Sequence, residues 1–375
     1  MKTTAAVLYE MEKPAPYAES RPLRIEEVSL DGPGPGEVLV EVAAAGLCHS
    51  DLSVINGSRP RPMPMVLGHE AAGTVRDIGA DVRDLKAGDA VVFSYVASCG
   101  YCQPCSAGRA AMCENGAKSN VAGTLLRGSR RFKGASGQPL NHHIGVSGFS
   151  RLTVAAQESL VKIDSSLAPE KAALFGCAVM TGVGAVVNTA RIPAGSSAAV
   201  FGLGGVGLSA VMGLRAAGAY PIVAVDRLAS KLELAKELGA SHAIDSSATD
   251  PIAALRDLTS GGAQYVFEAV GNELVLAQAY AATRRGGVTV TIGLPHPSKQ
   301  LTISALSLVA EERTLMGSYM GSAVPRRDVP RFIAMYLSGI LPVDKLVSRF
   351  ITLNEINAAF DQLASGQTVR QIVKF

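Results

Sequence analysis

The chain has 375 residues, of which 48% are apolar, and a formal charge of +3. That length exceeds one comfortable hydrophobic core, so two domains are expected. The small charge, with no basic run interleaved with aromatics, excludes nucleic acid as an expected partner. Met1–Val7 lacks the apolar stretch of a signal peptide. A cytoplasmic location follows as an expectation, with cysteines that ligate metal rather than form disulfides.

The first third reads as short strands and turns. Val38–Val42 follows the turn-forming run Gly32-Pro33-Gly34-Pro35-Gly36, and Ala71–Val75 and Ala90–Phe93 are similar strands. An antiparallel, barrel-like region is predicted here. Near residue 180 the pattern changes. Ala198–Phe201, Pro221–Val225, Tyr265–Phe267 and Val288–Ile292 are apolar strands separated by helical stretches such as Ser230–Leu238, with Gly239 as its cap. That alternation predicts a parallel, doubly wound sheet, giving an α/β protein. Ile192–Leu214 is uncharged over 23 residues, yet six glycines, Pro193 and three serines interrupt it. It is predicted as a buried strand, turn and helix, and no membrane partner is expected. Val329–Leu337 reads as a helix, and Val369–Phe375 as a strand returning to the first domain.

Gly202-Leu203-Gly204-Gly205-Val206-Gly207 is a G-x-G-x-x-G that follows a strand, opens a helix and precedes Asp226 by 24 positions. Glycines permit the tight turn, the helix N-terminus faces a pyrophosphate, and the acid can bond a ribose diol. Asp226 would repel a 2′-phosphate, which favours NAD, although the neighbouring Arg227 could pair with that phosphate.

Six cysteines fall into two groups. Cys99, Cys102, Cys105 and Cys113 form C-x2-C-x2-C-x7-C, which suits a closed tetrahedral zinc better than an iron–sulfur centre or a redox disulfide. Cys48 and Cys177 lie far apart, with His69 between them. Each alone reads as a buried packing residue. Together, flanked by His49-Ser50-Asp51 and Glu70, they suit a zinc with an open fourth position. His142, His143, His242 and His296 read as ordinary surface or packing residues.

These motifs resemble the zinc-dependent medium-chain alcohol dehydrogenases over almost the whole chain: Gly46-Leu47-Cys48-His49-Ser50-Asp51, Gly68-His69-Glu70-Ala71-Ala72-Gly73, the four-cysteine lobe, Gly176-Cys177 and Gly202–Gly207. The full-length stretch between Cys113 and Cys177 resembles the liver-type and glutathione-dependent branches. That resemblance implies a homodimer, with a homotetramer as the alternative. It also implies a GroES-like β-barrel catalytic domain (1–178 and 320–375, zinc lobe about 95–115) and a Rossmann domain (179–319). Two zinc ions per subunit and NAD are the implied cofactors.

By the same resemblance, Cys48, His69 and Cys177 hold the catalytic zinc, Asp51 orients His69, and Glu70 lies behind the metal. Ser50 receives the substrate proton. Thr181, Val206, Ile292, Gly293 and Leu294 pack near the nicotinamide, Asp226 and Lys231 contact the ribose, and His49 and Arg370 the pyrophosphate. Tyr95, Met112 and Tyr319 line a channel for medium-chain, terpenoid or aromatic primary alcohols. The zinc would act as a Lewis acid during hydride transfer to NAD. One departure stands out: Ser53 occupies the position where many relatives end the proton relay in a histidine, so water or His49 is expected to complete it. Two alternatives stay open. One is a glutathione- or mycothiol-dependent formaldehyde dehydrogenase, for which Arg59, Arg61, Arg127, Arg130 and Arg131 could anchor carboxylates. The other is a non-catalytic zinc-stabilised binding protein.

Overall fold

The computed structural model describes residues 1–375, which divide into two compact units. The first comprises Met1–Cys177, Val324–Ile333 and Asp344–Phe375, and the second Ala178–Ala323 and Ala334–Val343.

In the first unit, β1 (Lys2–Leu8), β2 (Leu23–Leu30), β3 (Glu37–Gly46), β4 (Met65–Val66), β5 (Glu70–Ile78), β6 (Ala90–Phe93), β7 (Phe132–Lys133), β8 (Pro139–His142), β9 (Leu152–Ala156) and β10 (Leu160–Ile163) make two sheets. A closed barrel runs β1-β2-β7-β8-β4. The second sheet runs β10-β6-β5-β3 and continues into Arg370–Lys374 and Val347–Ile351, while β9 also pairs with β3. The C-terminal strand thus pairs antiparallel with Ala44–Gly46, just before Cys48. The barrel closes on Ala5, Val7, Val28, Leu30, Val66, Phe132 and Leu140, all at or below 1% exposure. Closure leaves no sheet edge there, which explains how pairs as short as β4 and β7 persist.

In the second unit, β11 (Ala198–Phe201), β12 (Ile222–Asp226), β13 (His242–Asp245), β14 (Ala263–Glu268), β15 (Thr283–Thr291) and β16 (Thr314–Gly317) form one parallel sheet, ordered β13-β12-β11-β14-β15-β16. Strands covered on both faces read as apolar runs, which is why Ala198–Phe201 has four buried residues in a row. The order reverses at β11, so β11 and β14 diverge into a crevice at their C-terminal ends. No single helix is long and apolar enough to cross a membrane. The uncharged run of 192–214 becomes β11, the glycine turn and the helix Gly205–Ala216.

Candidate active site

Cys48 lies just ahead of the short helix α1 (His49–Ile55), and His69 just ahead of β5; Cys177 follows the turn Ala173–Gly176. Pairing of Gly46 with Glu70 across β3 and β5 brings Cys48 and His69 together. The donor atoms of Cys48, His69 and Cys177 all lie within 4.8 Å of one another, and all three residues are at least 95% buried. His69 Nε2 stands 3.3 Å from Cys177 Sγ. A tetrahedral zinc with ordinary Zn–N and Zn–S bonds spaces such atoms about 3.5 Å apart, so these residues fit that ion.

Asp51 is fully buried on the far side of the His69 ring. Its Oδ1 lies 3.0 Å from His69 Nδ1 and accepts from Gly68 N at 3.3 Å, while Oδ2 accepts from Cys48 N at 3.2 Å. Burial opposes the charge, but the His69 and His143 rings hold the carboxyl below the usual carboxylate range. A carboxylate on the remote nitrogen fixes the tautomer that leaves Nε2 as the ligand atom. One carboxylate therefore links two ligand-bearing segments.

Glu70 and Arg370 form a buried pair, Nε to Oε1 at 3.2 Å, with side-chain exposures of 0% and 3%. Arg370 Nη1 donates to Val369 O, and Nη2 lies 3.9 Å from Cys48 Sγ. Burial and the Cys48 thiolate push Glu70 up to about 7 against the opposing pull of Arg370. The sequence pointed Arg370 toward a pyrophosphate. In the fold its guanidinium pairs with Glu70 beside Cys48, a pairing across 300 positions that no local motif reveals.

Tyr95 meets His69 edge-on at 5.7 Å between ring centroids and is 8% exposed. Ser50 is half-buried and His49 exposed in the first turn of α1. The Ser53 hydroxyl donates to His49 O at 2.8 Å, so its proton is engaged by the helix backbone. Met112 is half exposed in the turn entering Cys113.

The four-cysteine lobe is a separate centre. Its sulfurs also lie within 4.8 Å of one another, with Cys102 and Cys113 at 3.9 Å, near the edge of a tetrahedral zinc–thiolate shell, about 3.8 Å. Cys113 accepts from the amides of Cys99 and Gly116 at 3.3 Å, and Cys99 from Cys102 N and the Asn115 side chain. Burial works against ionisation of Cys99, yet the Tyr101 amide, followed by the Asn115 side chain and the Cys102 amide, draws it down to about 6. Asn115 was not legible as part of this centre.

In the second unit the glycine turn lies between β11 and Gly205–Ala216. A Cβ on Gly207 would collide with Gly202 O, whereas one on Gly204 would meet nothing within 4 Å. The turn is therefore tight at its base and open at its crest, the shape that admits a pyrophosphate. Gly205 and Val206 begin the helix. Asp226 ends β12, and its Oδ2 accepts from Leu203 N at 2.7 Å while Oδ1 accepts from Arg227 N and Leu228 N. Arg227 is exposed and Lys231 half-buried on the following helix. Thr181 sits on Ala178–Gly184, which packs so closely that a Cβ on Gly182 would strike Val206 O. Ile292 is buried beyond β15, Gly293 half-buried, and Leu294 and Tyr319 exposed. Glu268, unremarked in the sequence, ties this edge together: it accepts from Val270 N, Gly271 N and Thr291 Oγ1.

Of the histidines read as surface or packing residues, His142 and His143 are packing residues, 0% and 2% exposed. His142 accepts from Arg131 N and packs on Phe132, but His143 reaches Asp51. Four of the five arginines that could anchor a thiol adduct have partners within the barrel unit. Arg127 pairs with Glu158, Arg131 with Glu37, Arg130 with Asn141 and Arg61 with Asn120 O.

A barrel unit carrying two zinc-competent sets and a doubly wound unit carrying a dinucleotide cradle define the class of zinc- and nicotinamide-dependent oxidoreductases. Residues 34–165 match the family described as alcohol dehydrogenase GroES-like domain, and residues 205–338 the family described as zinc-binding dehydrogenase. The class-3 alcohol dehydrogenase of Cereibacter sphaeroides is 36% identical over 385 residues, covering all of both chains. Among solved structures, an alcohol dehydrogenase zinc-binding domain protein from Burkholderia ambifaria superposes with a TM-score of 0.94 at 38% identity, over 100% of this chain and 99% of that one. Benzyl alcohol dehydrogenase from Acinetobacter calcoaceticus does so with 0.93 at 32%, with the same coverage. The chain belongs to the zinc-dependent medium-chain alcohol dehydrogenases. It is an oxidoreductase acting on small alcohols or aldehydes with zinc and a nicotinamide cofactor.

Proposed function

We propose that this enzyme interconverts primary alcohols and aldehydes with NAD(H), using one zinc at Cys48, His69 and Cys177 and a second in the four-cysteine lobe. The observation that carries the reading is the incomplete shell of the first set: three buried donors, with a carboxylate aimed at the remote nitrogen of the imidazole. When bound, zinc supplies Lewis acidity that eases loss of the alcohol's proton, and the nicotinamide accepts the hydride.

The remaining work falls to side chains. Ser50 Oγ receives the hydroxyl proton and passes its own toward solvent, with His49 or water completing the relay in place of the backbone-bonded Ser53 hydroxyl. Tyr95 orients the substrate, with Met112 and Tyr319 as further channel residues. Asp226 selects NAD by charge, with Lys231 beside it on the ribose, while His49 and Arg370 serve the pyrophosphate and Thr181, Val206 and Ile292–Leu294 the nicotinamide. An aromatic primary alcohol is the preferred substrate, a choice supported by Tyr95 edge-on to His69 and by the likeness to a benzyl alcohol dehydrogenase.

A cytoplasmic location agrees with six unbridged cysteines. A homodimer is supported by the outer edge of β16 and by the exposed Leu306 and Val309 nearby in the chain. The test is absorbance of NADH over a panel of aromatic, terpenoid and linear alcohols. Benzyl-type alcohols with NAD should give the highest kcat/KM, at least tenfold above NADP. A preference for NADP, or activity on formaldehyde only with added thiol, would refute the proposal.

A further inference from the structure

His143 has no task in the reaction just described, and three independent features point it at the open zinc site. First, its ring is 2% exposed and its Nδ1 lies 3.1 Å from Asp51 Oδ1, off the line of a well-formed bond and with no other partner. Leaving a buried ring nitrogen without a well-formed bond is unfavourable, so this approach is held by its surroundings. Second, the His143 ring stands edge-on to His69 at 5.5 Å and 89°, so Asp51 Oδ1 lies between two imidazoles. Third, the backbone after His143 is held in an unfavourable shape. Ile144, Gly145 and Ser147 have φ of +40°, +71° and +53°, and a β-branched residue in that region is a genuine outlier. Such strain persists where the surroundings over-determine it, and it clusters at functional sites.

The surroundings are visible. Ser147 Oγ accepts from His143 N and donates to Val66 O, Gly148 N donates to Gly68 O, and Phe149 N donates to Leu67 O. The strained turn is thus fastened to the segment Val66–Gly68 that leads into His69. Asp51 receives contacts from three segments: Cys48 N from α1's start, Gly68 N and His69 from the second ligand, and His143 from the turn. The third contact adds a constraint on Oδ1, the same oxygen that faces His69 Nδ1.

We propose that His143 is a positioning residue for the open metal site, locking Asp51 so that Asp51 locks His69. This role rests on the zinc reading above. It operates through Asp51, which yields a strict expectation for the pair of residues.

The experiment measures cobalt(II) and zinc affinity of the full chain by chelator competition, with the cobalt d–d bands as the geometric readout and the four-cysteine lobe as internal control. His143→Phe should weaken the open site about tenfold, the lower end for an outer partner of a ligand, shift its d–d bands and leave the lobe unchanged. His143→Asn, whose amide nitrogen reproduces Nδ1, should stay within about twofold of wild type. Asp51→Asn should lose at least as much as His143→Phe, and the double variant no more than Asp51→Asn alone. Unchanged affinity and bands in His143→Phe, or losses that multiply in the double variant, would overturn the role. If His143→Phe does not fold, Asn against Gln at 143 provides the same contrast, with equal losses overturning it. A wild-type chain that binds one metal only, in the lobe, would instead refute the zinc reading itself.

Discussion

The two cysteine sets are built in opposite ways. The lobe gathers four donors from Cys99 to Cys113, and its support is local: neighbouring amides and Asn115 donate to the sulfurs. The open site gathers three donors from Cys48 to Cys177, and its support is remote: Arg370 with Glu70, Gly68 with Asp51, and His143 from a turn beyond the barrel's last strand. A shell built locally can be complete in itself and has only its own loop to hold. A shell with one position left open needs outer groups to keep three donors aimed, because the missing ligand no longer fixes their directions.

The largest effect should come from breaking each set in turn. Cys48→Ser should abolish NADH formation, by roughly a thousandfold or more given the several kcal/mol a Lewis acid supplies, while circular dichroism and the lobe's metal remain. Cys105→Ser should do the reverse: the lobe loses its metal and the melting temperature falls, while the protein that stays folded keeps a measurable kcat. Equal damage to kcat by both variants would mean that the two sets are not functionally distinct.

A smaller effect separates the adjacent histidines. Burial pushes His142 down to about 3, with Arg130 and Arg131 adding to the shift. The folded value lies below the unfolded one of about 6.5. Above pH 6.5 both states leave the ring neutral and nothing changes. As pH falls from 6.5 toward 3 only the unfolded chain takes the proton, so stability drops by about 1.4 kcal/mol per pH unit at most. His142→Gln keeps an acceptor near the Nε2 position for Arg131 N. Between pH 6.5 and 5.0 it should therefore lose roughly 2 kcal/mol less than wild type in denaturant unfolding. Parallel curves for the two proteins would show that His142 does not carry this proton linkage.

What the sequence disclosed follows the same division. The lobe, the glycine turn with Asp226, and the parallel strands were legible because each is a short-range pattern: ligand spacing, a tight turn, or a buried apolar run. β7 and β8 were not, since strands of two and four residues are held by barrel closure rather than by their own periodicity. Asn115 was hidden because an asparagine after a ligating cysteine has no spacing signature. Arg370 and His143 were hidden as partners of Glu70 and Asp51, since they lie 300 and 92 positions from them (370 less 70, 143 less 51). The sequence showed which residues could bind metal, and only the fold showed what aims them.

The most direct test is graded removal of metal from the purified enzyme, with zinc counted at each step and NADH formation measured on the same samples. Two zinc ions per chain should be found, and activity should vanish with the first to leave, the one at Cys48, His69 and Cys177, while the melting temperature stays high until the second departs. Activity that survives emptying of the Cys48, His69 and Cys177 site and falls only when the four-cysteine lobe loses its zinc would contradict the assignment of hydride transfer to the open site.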